Sequence, residues 1–278
     1  MPADLGKQKT VIQARHYWVW GLPLFVLVLS VFIYLSASNF SLFFTINSLS
    51  GYTGDLLWAA LTFFSDGLVS FIILLPWIKR KPRLIWAVLL AAILFTIFGQ
   101  GIKRVVDVTR PPQVLSPDVF HLIGPDWGQH AFPSGHAAMI FMLAGAFVFT
   151  ISRTWVRWLL VVFASLIALS RVVVGVHWPL DILAGAATGW VGVWIGLLLS
   201  KYSKWGWKGI GRKVLGAILL IACVVLFFVD YTGYQGIMGL QRVLAVVFLT
   251  IGMNEYLKIY GFNFPDWVRG KKQNQNSH

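Results

Sequence analysis

A histidine and an aspartate near the middle of the chain have the spacing of a nucleophile and its orienting carboxylate. Asp181 follows His177 by four residues, and Pro179 between them suits the first turn of a helix. Residues four apart on a helix share a face, so the carboxylate can hold one ring nitrogen of the imidazole. The other nitrogen is then free to attack phosphorus. A second histidine, His136, could give a proton to the departing oxygen and then help to activate water.

The residues that could bind a phosphoryl group are basic or stand before a predicted helix. The equatorial oxygens of a transferring phosphoryl group carry negative charge in the transition state, which arginine forks and lysine ammonium groups can stabilise. The free N–H groups at the start of a helix also favour an anion. No metal-ligand cluster stands near these residues in the sequence, and we expect no cofactor. The candidate phosphate ligands are Lys103, Arg110, Ser134, Gly135 and Arg171.

The composition indicates that these residues are positioned by membrane-spanning helices. The chain is 58% hydrophobic and 12% charged, with a mean hydropathy of +0.73. A soluble domain is roughly a quarter charged. The net charge of +13 would suggest nucleic acid in a soluble chain. Here the charge lies in short clusters between apolar runs, so we expect an anionic membrane and no nucleic acid as the partner.

Eight apolar runs predict eight transmembrane helices, since a span takes about 20 residues. The first run exceeds the roughly 7–15 apolar residues of a signal peptide, so we expect an uncleaved helix. The runs are Trp18–Ser36, Leu56–Ile78, Leu84–Ile102, Ala137–Ile151, Val156–Val174, Ile182–Ser200, Val214–Val229 and Leu240–Leu257.

The distribution of basic residues predicts which side of the membrane carries the candidate site. Alternate loops, together with the two termini, hold 18 of the 23 lysine and arginine residues. By the positive-inside rule these loops and both termini are cytoplasmic. Five positive charges on the opposite side need another explanation, and three of them are candidate phosphate ligands. The five are Lys103, Arg104, Arg110, Arg171 and Arg242.

Three segments of the sequence resemble the signature motifs of the type 2 phosphatidic acid phosphatase superfamily, which includes membrane lipid phosphatases and vanadium haloperoxidases. In chain order the segments are Lys103–Pro111, Pro133–His136 and Ser170–Asp181. The eleven fixed residues of the superfamily are present at the family's internal spacings. They are Lys103, Arg110, Pro111, the four residues from Pro133 to His136, Ser170, Arg171, His177 and Asp181.

The resemblance implies a fold, an activity and a set of residue roles. It implies an all-α integral membrane protein whose six-helix phosphatase core occupies residues 1–200. Residues 201–278 are then an extension with two further transmembrane helices and a cytoplasmic basic tail. The implied enzyme is a metal-independent phosphatase with His177 as nucleophile, Asp181 as its partner and His136 as acid. The five candidate phosphate ligands would bind the substrate.

The expected substrate is a lipid phosphate or diphosphate from the outer leaflet. Isoprenyl diphosphate, such as undecaprenyl diphosphate, is the first choice, followed by phosphatidylglycerol phosphate, phosphatidate and lipid A phosphate. We expect a bacterial inner membrane with the site on its periplasmic or extracellular face. One alternative is a phosphotransferase that passes the phosphoryl group to another lipid. A non-enzymatic alternative is a transporter or scaffold that binds anionic lipids, and the sequence identifies no protein partner.

A few polar residues outside the motif set allow more than one interpretation. Asp66 falls inside the second apolar run, where it could contact an arginine of the site or, as we favour, hydrogen-bond a neighbouring helix. Arg104 and Asp107 could pair with each other. Trp178 could anchor the chain at the membrane interface or line an acyl entrance. We expect His121 to be a solvated histidine.

Overall fold

The chain folds into a bundle of helices, as the apolar runs predict. A computed structural model describes residues 3–126, 128, 130–230 and 232–262, with side chains from residue 16 onward, and no strand occurs among them. The helices are α1 (Ala3–Leu35), α2 (Asn39–Asn47), α3 (Ser50–Thr53), α4 (Asp55–Phe63), α5 (Gly67–Leu74), α6 (Pro82–Val106), α7 (Pro111–Val114), α8 (Gly135–Val148), α9 (Thr154–Val173), α10 (Pro179–Tyr202), α11 (Gly209–Phe228) and α12 (Met238–Leu257). The predicted all-α membrane fold is confirmed.

Six segments of the described chain are single helices long and apolar enough to cross a membrane. The bent pair α4 and α5 forms a seventh candidate, and the shorter helix α8 accounts for the remaining predicted run. At about 1.5 Å per residue, the 14 residues of α8 extend about 21 Å. The six long segments are His16–Leu35, Pro82–Val106, Thr154–Val173, Pro179–Tyr202, Gly209–Phe228 and Met238–Tyr260.

The second predicted span is broken by a capping carboxylate. Helices α4 and α5 meet at an angle of 61°. Asp66 stands at the break, and its Oδ1 accepts hydrogen bonds from the backbone N–H groups of Leu68 at 2.8 Å and Val69 at 3.3 Å. These N–H groups have no partner within the helix, which explains why a carboxylate is tolerated in an apolar run. Neither interpretation of Asp66 from the sequence included this capping of its own helix.

Helix α10 lies at the centre of the bundle and packs most extensively on α8 and α6. Its glycines permit this close approach. A Cβ atom added to Gly185 would lie 2.4 Å from the carbonyl oxygen of Ser134, and one added to Gly189 would lie 2.1 Å from that of Ala138. Small residues spaced four apart let two membrane helices bring their backbones together. The start of α8 is thereby held against the first half of α10.

The last two helices form an antiparallel hairpin that packs on the bent pair. At one end of the hairpin, Tyr256 donates a hydrogen bond to the carbonyl oxygen of Lys213 at 3.0 Å. At the other end, Gln241 donates to the carbonyl oxygens of Leu226 at 2.6 Å and Val229 at 2.8 Å. Helix α11 contacts α5, and α12 contacts the turn that follows α5. The division at residue 200 stays a prediction, and the predicted basic tail falls largely outside the described residues.

Candidate active site

The three predicted segments meet at one end of the bundle, where α6 and α9 end and α8 and α10 begin. The backbone N–H of Ser134 donates to the carbonyl oxygen of Asp181 at 3.0 Å, which joins the second segment to the third. The indole Nε1 of Trp178 donates to the carbonyl oxygen of Thr109 at 2.8 Å, which joins the third segment to the first. These hydrogen bonds fix the segments relative to one another although they lie far apart in the sequence.

His177 and Asp181 form the buried pair that their spacing predicts. Nδ1 of His177 lies 3.3 Å from Oδ2 of Asp181, and the two side chains are only 1% and 2% exposed. The same carboxylate oxygen accepts a hydrogen bond from the backbone N–H of Trp178 at 2.8 Å, so it is held from two sides. Because the carboxylate engages Nδ1, the arrangement leaves Nε2 as the ring nitrogen that can act on a substrate.

The surroundings of His177 keep its imidazole neutral. Burial, and then the positive charges of Arg110 and Arg171, hold the pKa of His177 well below its usual range, with smaller contributions from His136 and Lys103. A neutral imidazole keeps the lone pair that nucleophilic attack requires. The structure therefore combines an unprotonated nitrogen with a positively charged neighbourhood, which suits an anionic substrate.

The start of α8 brings a second histidine and free backbone N–H groups to the same place. Ser134 caps the helix, with its hydroxyl accepting a hydrogen bond from the N–H of Ala137 at 3.4 Å. Gly135 and His136 follow in the first turn. His136 is close enough to His177 to contribute to the lowered pKa of that residue. The first turn of α8 can thus present both hydrogen-bond donors and an acid–base group to a bound anion.

Arg171 is fully buried, and the protein binds only one side of its guanidinium group. Its Nη1 donates to Oγ1 of Thr62 at 2.8 Å and to the hydroxyl of Tyr234 at 2.9 Å. Nε and Nη2 are also buried and have no hydrogen-bond partner among the described residues. These two nitrogens form the edge of the fork that binds two oxygens of a phosphate or carboxylate. A buried guanidinium needs such an anionic partner because desolvation of the charge is costly.

Two further positive groups complete the cluster. Nε of Arg110 donates to the carbonyl oxygen of His130 at 3.3 Å, while its buried Nη1 has no partner in the described part of the chain. Burial and the charge of Arg171 lower the pKa of Arg110 to about 10, against the opposing effect of Asp181 and other groups. Lys103 is half-buried on the last turn of α6, within electrostatic range of Arg110 and Asp181. A bound anion would relieve this crowding of like charges.

All the residues predicted for the site therefore lie together. The eight are Lys103, Arg110, Ser134, Gly135, His136, Arg171, His177 and Asp181. Their roles in catalysis stay predictions. Within the described residues no group of three or more His, Cys, Asp or Glu side chains is arranged to hold a metal ion.

Sequence reasoning missed the partners of Arg171. Thr62 is a single hydroxyl on an apolar helix, and Tyr234 lies in the connection between α11 and α12, far from the motifs in sequence. A lone polar residue in an apolar run was the only available signal for Thr62, and nothing in the sequence pointed to Tyr234. Both are found only through the folded arrangement.

Other polar residues near the site have partners that the sequence did not specify. Asp107 lies 2.8 Å from Nδ1 of His130, a partner other than the Arg104 that the sequence left open. His121 is exposed, as expected, and its Nε2 lies 2.9 Å from a carboxylate oxygen of Asp55. Trp178 is buried and packs against phenylalanine rings of α2, so it links segments of the site rather than anchoring the chain at an interface.

Comparisons with known proteins identify relatives of this arrangement. A family model described as the PAP2 superfamily matches residues 84–205. The undecaprenyl-diphosphatase of Sulfolobus acidocaldarius is 30% identical over 211 residues, which cover 69% of this chain and 94% of the relative. The crystal structure of Aquifex aeolicus LpxE is similar with a TM-score of 0.52 and 28% identity, over 58% of this chain and 94% of that one. A PAP2-type phosphatidylglycerolphosphate phosphatase from Bacillus subtilis shares the fold, with a TM-score of 0.53 and 18% identity over 67% of this chain and 97% of that one.

Proposed function

Because this chain belongs to the PAP2 superfamily and is a membrane lipid phosphatase, we propose that it hydrolyses an isoprenyl diphosphate through a phosphohistidine at His177. One observation carries the mechanism. The buried pair of His177 and Asp181 stands in the same cluster as Arg171, whose Nε and Nη2 have no partner among the described residues. A nucleophile and a fork for two phosphate oxygens are thus brought together.

In the first step, Nε2 of His177 attacks the terminal phosphorus of the bound diphosphate. A nitrogen–phosphorus bond forms as the bond from phosphorus to the bridging oxygen breaks. The negative charge of the bound diphosphate favours protonation of His136, which gives this proton to the bridging oxygen as the lipid monophosphate leaves. Arg171, Arg110 and Lys103 stabilise the charge on the equatorial oxygens, together with the first-turn N–H groups of α8.

In the second step, water replaces the histidine on phosphorus. His136, now neutral, takes a proton from the water as its oxygen bonds to phosphorus. The nitrogen–phosphorus bond breaks, and inorganic phosphate is released. The net reaction converts one lipid diphosphate and one water into a lipid monophosphate and phosphate. Asp181 keeps Nδ1 of His177 engaged throughout, so Nε2 remains the reacting atom.

An apolar groove lined by sequence neighbours of two site residues supports a long-chain substrate. It has a volume of about 720 Å³ and is bounded by α1, α8, α9 and α10. Ile182 and Leu169 line it, and they lie one and two residues from Asp181 and Arg171. The groove extends to Trp18 and Gly21 on α1, and its walls are almost entirely apolar. We propose that it receives the isoprenyl chain while the diphosphate head lies among the basic residues.

The undecaprenyl-diphosphatase relative is the specific support for an isoprenyl diphosphate over other phospholipids. Phosphatidylglycerol phosphate, phosphatidate and lipid A phosphate are the next candidates. We also propose that the termini are cytoplasmic in a bacterial inner membrane and that the site opens to the outer side, in keeping with the distribution of basic residues.

A substrate panel tests this proposal. Purified protein should release phosphate from undecaprenyl diphosphate faster than from the other three lipids, with EDTA present throughout. Replacement of His177 by alanine should abolish release while the protein stays folded. Loss of all activity in EDTA that returns with a divalent metal would refute metal independence, and preference for a phosphoglycerolipid would refute the substrate. Transfer of the phosphate to a lipid alcohol in place of water would identify a phosphotransferase.

A further inference from the structure

The connection between α11 and α12 reaches the candidate active site. It spans residues 229–237, all of them described except residue 231, and it follows the end of α11 nearest the site. Gln241 closes this end of the hairpin through its two hydrogen bonds to backbone carbonyls, and its side chain is fully buried. The connection is therefore held in place by the hairpin itself.

Tyr234 is the residue of this connection that enters the site. It is 5% exposed, and its ring lies so close to Gly124 that an added Cβ atom there would be 2.5 Å from Cε1 of the tyrosine. A Cβ atom added to Gly233, beside it, would lie 3.0 Å from Cγ of Pro125. The connection thus packs on the segment between α7 and α8, which also carries His130. Only a glycine at position 124 lets the tyrosine ring approach so closely.

The tyrosine hydroxyl accepts a hydrogen bond from the catalytic cluster. Nη1 of Arg171 has two hydrogens, and one goes to Tyr234 at 2.9 Å while the other goes to Thr62 at 2.8 Å. With both hydrogens of Nη1 engaged, the plane of the guanidinium is fixed. The opposite edge, formed by Nε and Nη2, is then the part of Arg171 that is left for a substrate.

The two hydroxyl groups that accept hydrogen bonds from Nη1 of Arg171 are neutral, so they do not compensate the positive charge of the arginine. A carboxylate in either place would compensate the positive charge of Arg171 and weaken its attraction for a phosphate. Hydroxyl groups orient the guanidinium without that compensation. The hydrogen bonds thereby fix the orientation of Arg171, and its full positive charge stays available to the ligand.

We propose that Tyr234 is a positioning residue, through which the C-terminal hairpin completes the phosphate-binding site by orienting Arg171. The inference rests on the proposed phosphatase function of the same site. It assigns a role to residues beyond the segment 84–205 that matches the family model. Thr62 supplies the second half of the same clamp from α4.

Replacement of Tyr234 by phenylalanine tests the role of the hydroxyl alone. Loss of this hydrogen bond to a charged group should raise the inhibition constant for vanadate and lower kcat/KM, each by about tenfold or more. Vanadate is used because it imitates the phosphoryl group in its five-coordinate geometry. The matched control is Tyr256→Phe, which removes a tyrosine hydroxyl from the opposite end of the same hairpin. The control should retain the wild-type inhibition constant.

The inference is overturned if Tyr234→Phe and Tyr256→Phe have the same vanadate inhibition constant as the wild type. If Tyr234→Phe does not fold, Thr62→Val removes the other acceptor of Nη1 and should weaken vanadate in the same way; an unchanged constant would again overturn the inference. Stabilisation of each protein by vanadate against thermal unfolding gives the same comparison without turnover. If the wild type binds vanadate but releases no phosphate, the proposed function is refuted. The comparison of stabilisation by vanadate would still test the role of Tyr234.

Discussion

At the scale of single residues, the site combines buried groups that are costly to maintain in the free protein. His177 is kept neutral by burial and by the positive charges around it, and Arg171 is buried with one edge of its guanidinium unpaired by the described residues. Each condition is costly by itself. A dianionic phosphate would relieve both, because it offers oxygens to the arginine and offsets the surrounding positive charge. This supports the proposal that the residues are arranged for the complex with the substrate rather than for the stability of the free protein.

The charge around His177 leads to a prediction about pH. Burial lowers the pKa of His177 first, and the charge of Arg110 is the next largest cause. In Arg110→Gln burial remains and that charge is removed, so the pKa of His177 should rise. Protonated imidazole cannot attack phosphorus, and the acidic limb of kcat/KM against pH should therefore move to higher pH than in the wild type. Profiles of kcat/KM measured on both proteins provide the test.

Arg104→Gln is the control for this pH prediction. Arg104 is exposed on the same segment, so its removal lowers the net charge equally without changing the buried cluster. The acidic limb of kcat/KM against pH should lie at the same pH in Arg104→Gln as in the wild type. An acidic limb that moves equally in both variants, or in neither, would contradict the electrostatic explanation.

At the scale of helices, the close contact of α8 with α10 holds together the two helix starts that carry His136 and His177. His136 is in the first turn of α8, and the pair of His177 and Asp181 is at the start of α10. The absence of a side chain at Gly185 allows the Ser134 carbonyl to lie against α10. Under the proposed mechanism, this structural contact places the general acid near the nucleophile.

Replacement of Gly185 by alanine should separate the two helix ends. The added Cβ would lie 2.4 Å from the Ser134 oxygen, so the backbone must move. We expect a loss of about 1–3 kcal/mol in the free energy of unfolding. A displacement of about 1 Å in the site can lower kcat about a hundredfold. Gly192→Ala is the control on the same helix, since its Cβ would lie 3.9 Å from the nearest atom, and wild-type kcat in both variants would contradict this account.

At the scale of the whole molecule, the fold carries a charged site at one end of the bundle and an apolar groove that is lined by Leu169 and Ile182, close in sequence to Arg171 and Asp181. The groove is bounded by four helices that come from separate parts of the sequence. An amphiphile can place its head among the basic residues and its chain along the groove. This arrangement predicts that the length of the lipid chain affects binding more than it affects the chemical step.

Filling the groove tests that prediction. Gly21 lines it from α1, and a Cβ atom added there meets nothing within 4 Å. Gly21→Phe should raise KM for undecaprenyl diphosphate by about tenfold, which corresponds to the loss of roughly two buried methylene groups. KM for farnesyl diphosphate should change less, and kcat should be retained. Gly239→Phe on α12 adds the same side chain outside the groove and should leave both KM values unchanged; equal effects of Gly21→Phe on both substrates would contradict the assignment.

Much of the fold and of the candidate site could be predicted from the sequence, because hydropathy and motif spacing are both local signals. Hydropathy locates the spans, since each must be apolar along its own length. Fixed spacings around His136 and His177 locate the site, since each motif is a short continuous segment. The bend at Asp66 was not predicted, because a capping carboxylate resembles any other polar residue in an apolar run. Thr62 and Tyr234 were missed because their contact with Arg171 joins residues 63 or more positions apart.

Transient labelling of the protein by its substrate is the most direct measurement of the central claim. Undecaprenyl diphosphate labelled at the terminal phosphorus is mixed briefly with the purified enzyme, quenched in alkali and analysed for protein-bound phosphate. The account predicts acid-labile, alkali-stable phosphate on the peptide that contains His177, with none in His177→Ala. Label on another residue, or turnover at the wild-type rate in His177→Ala, would contradict it.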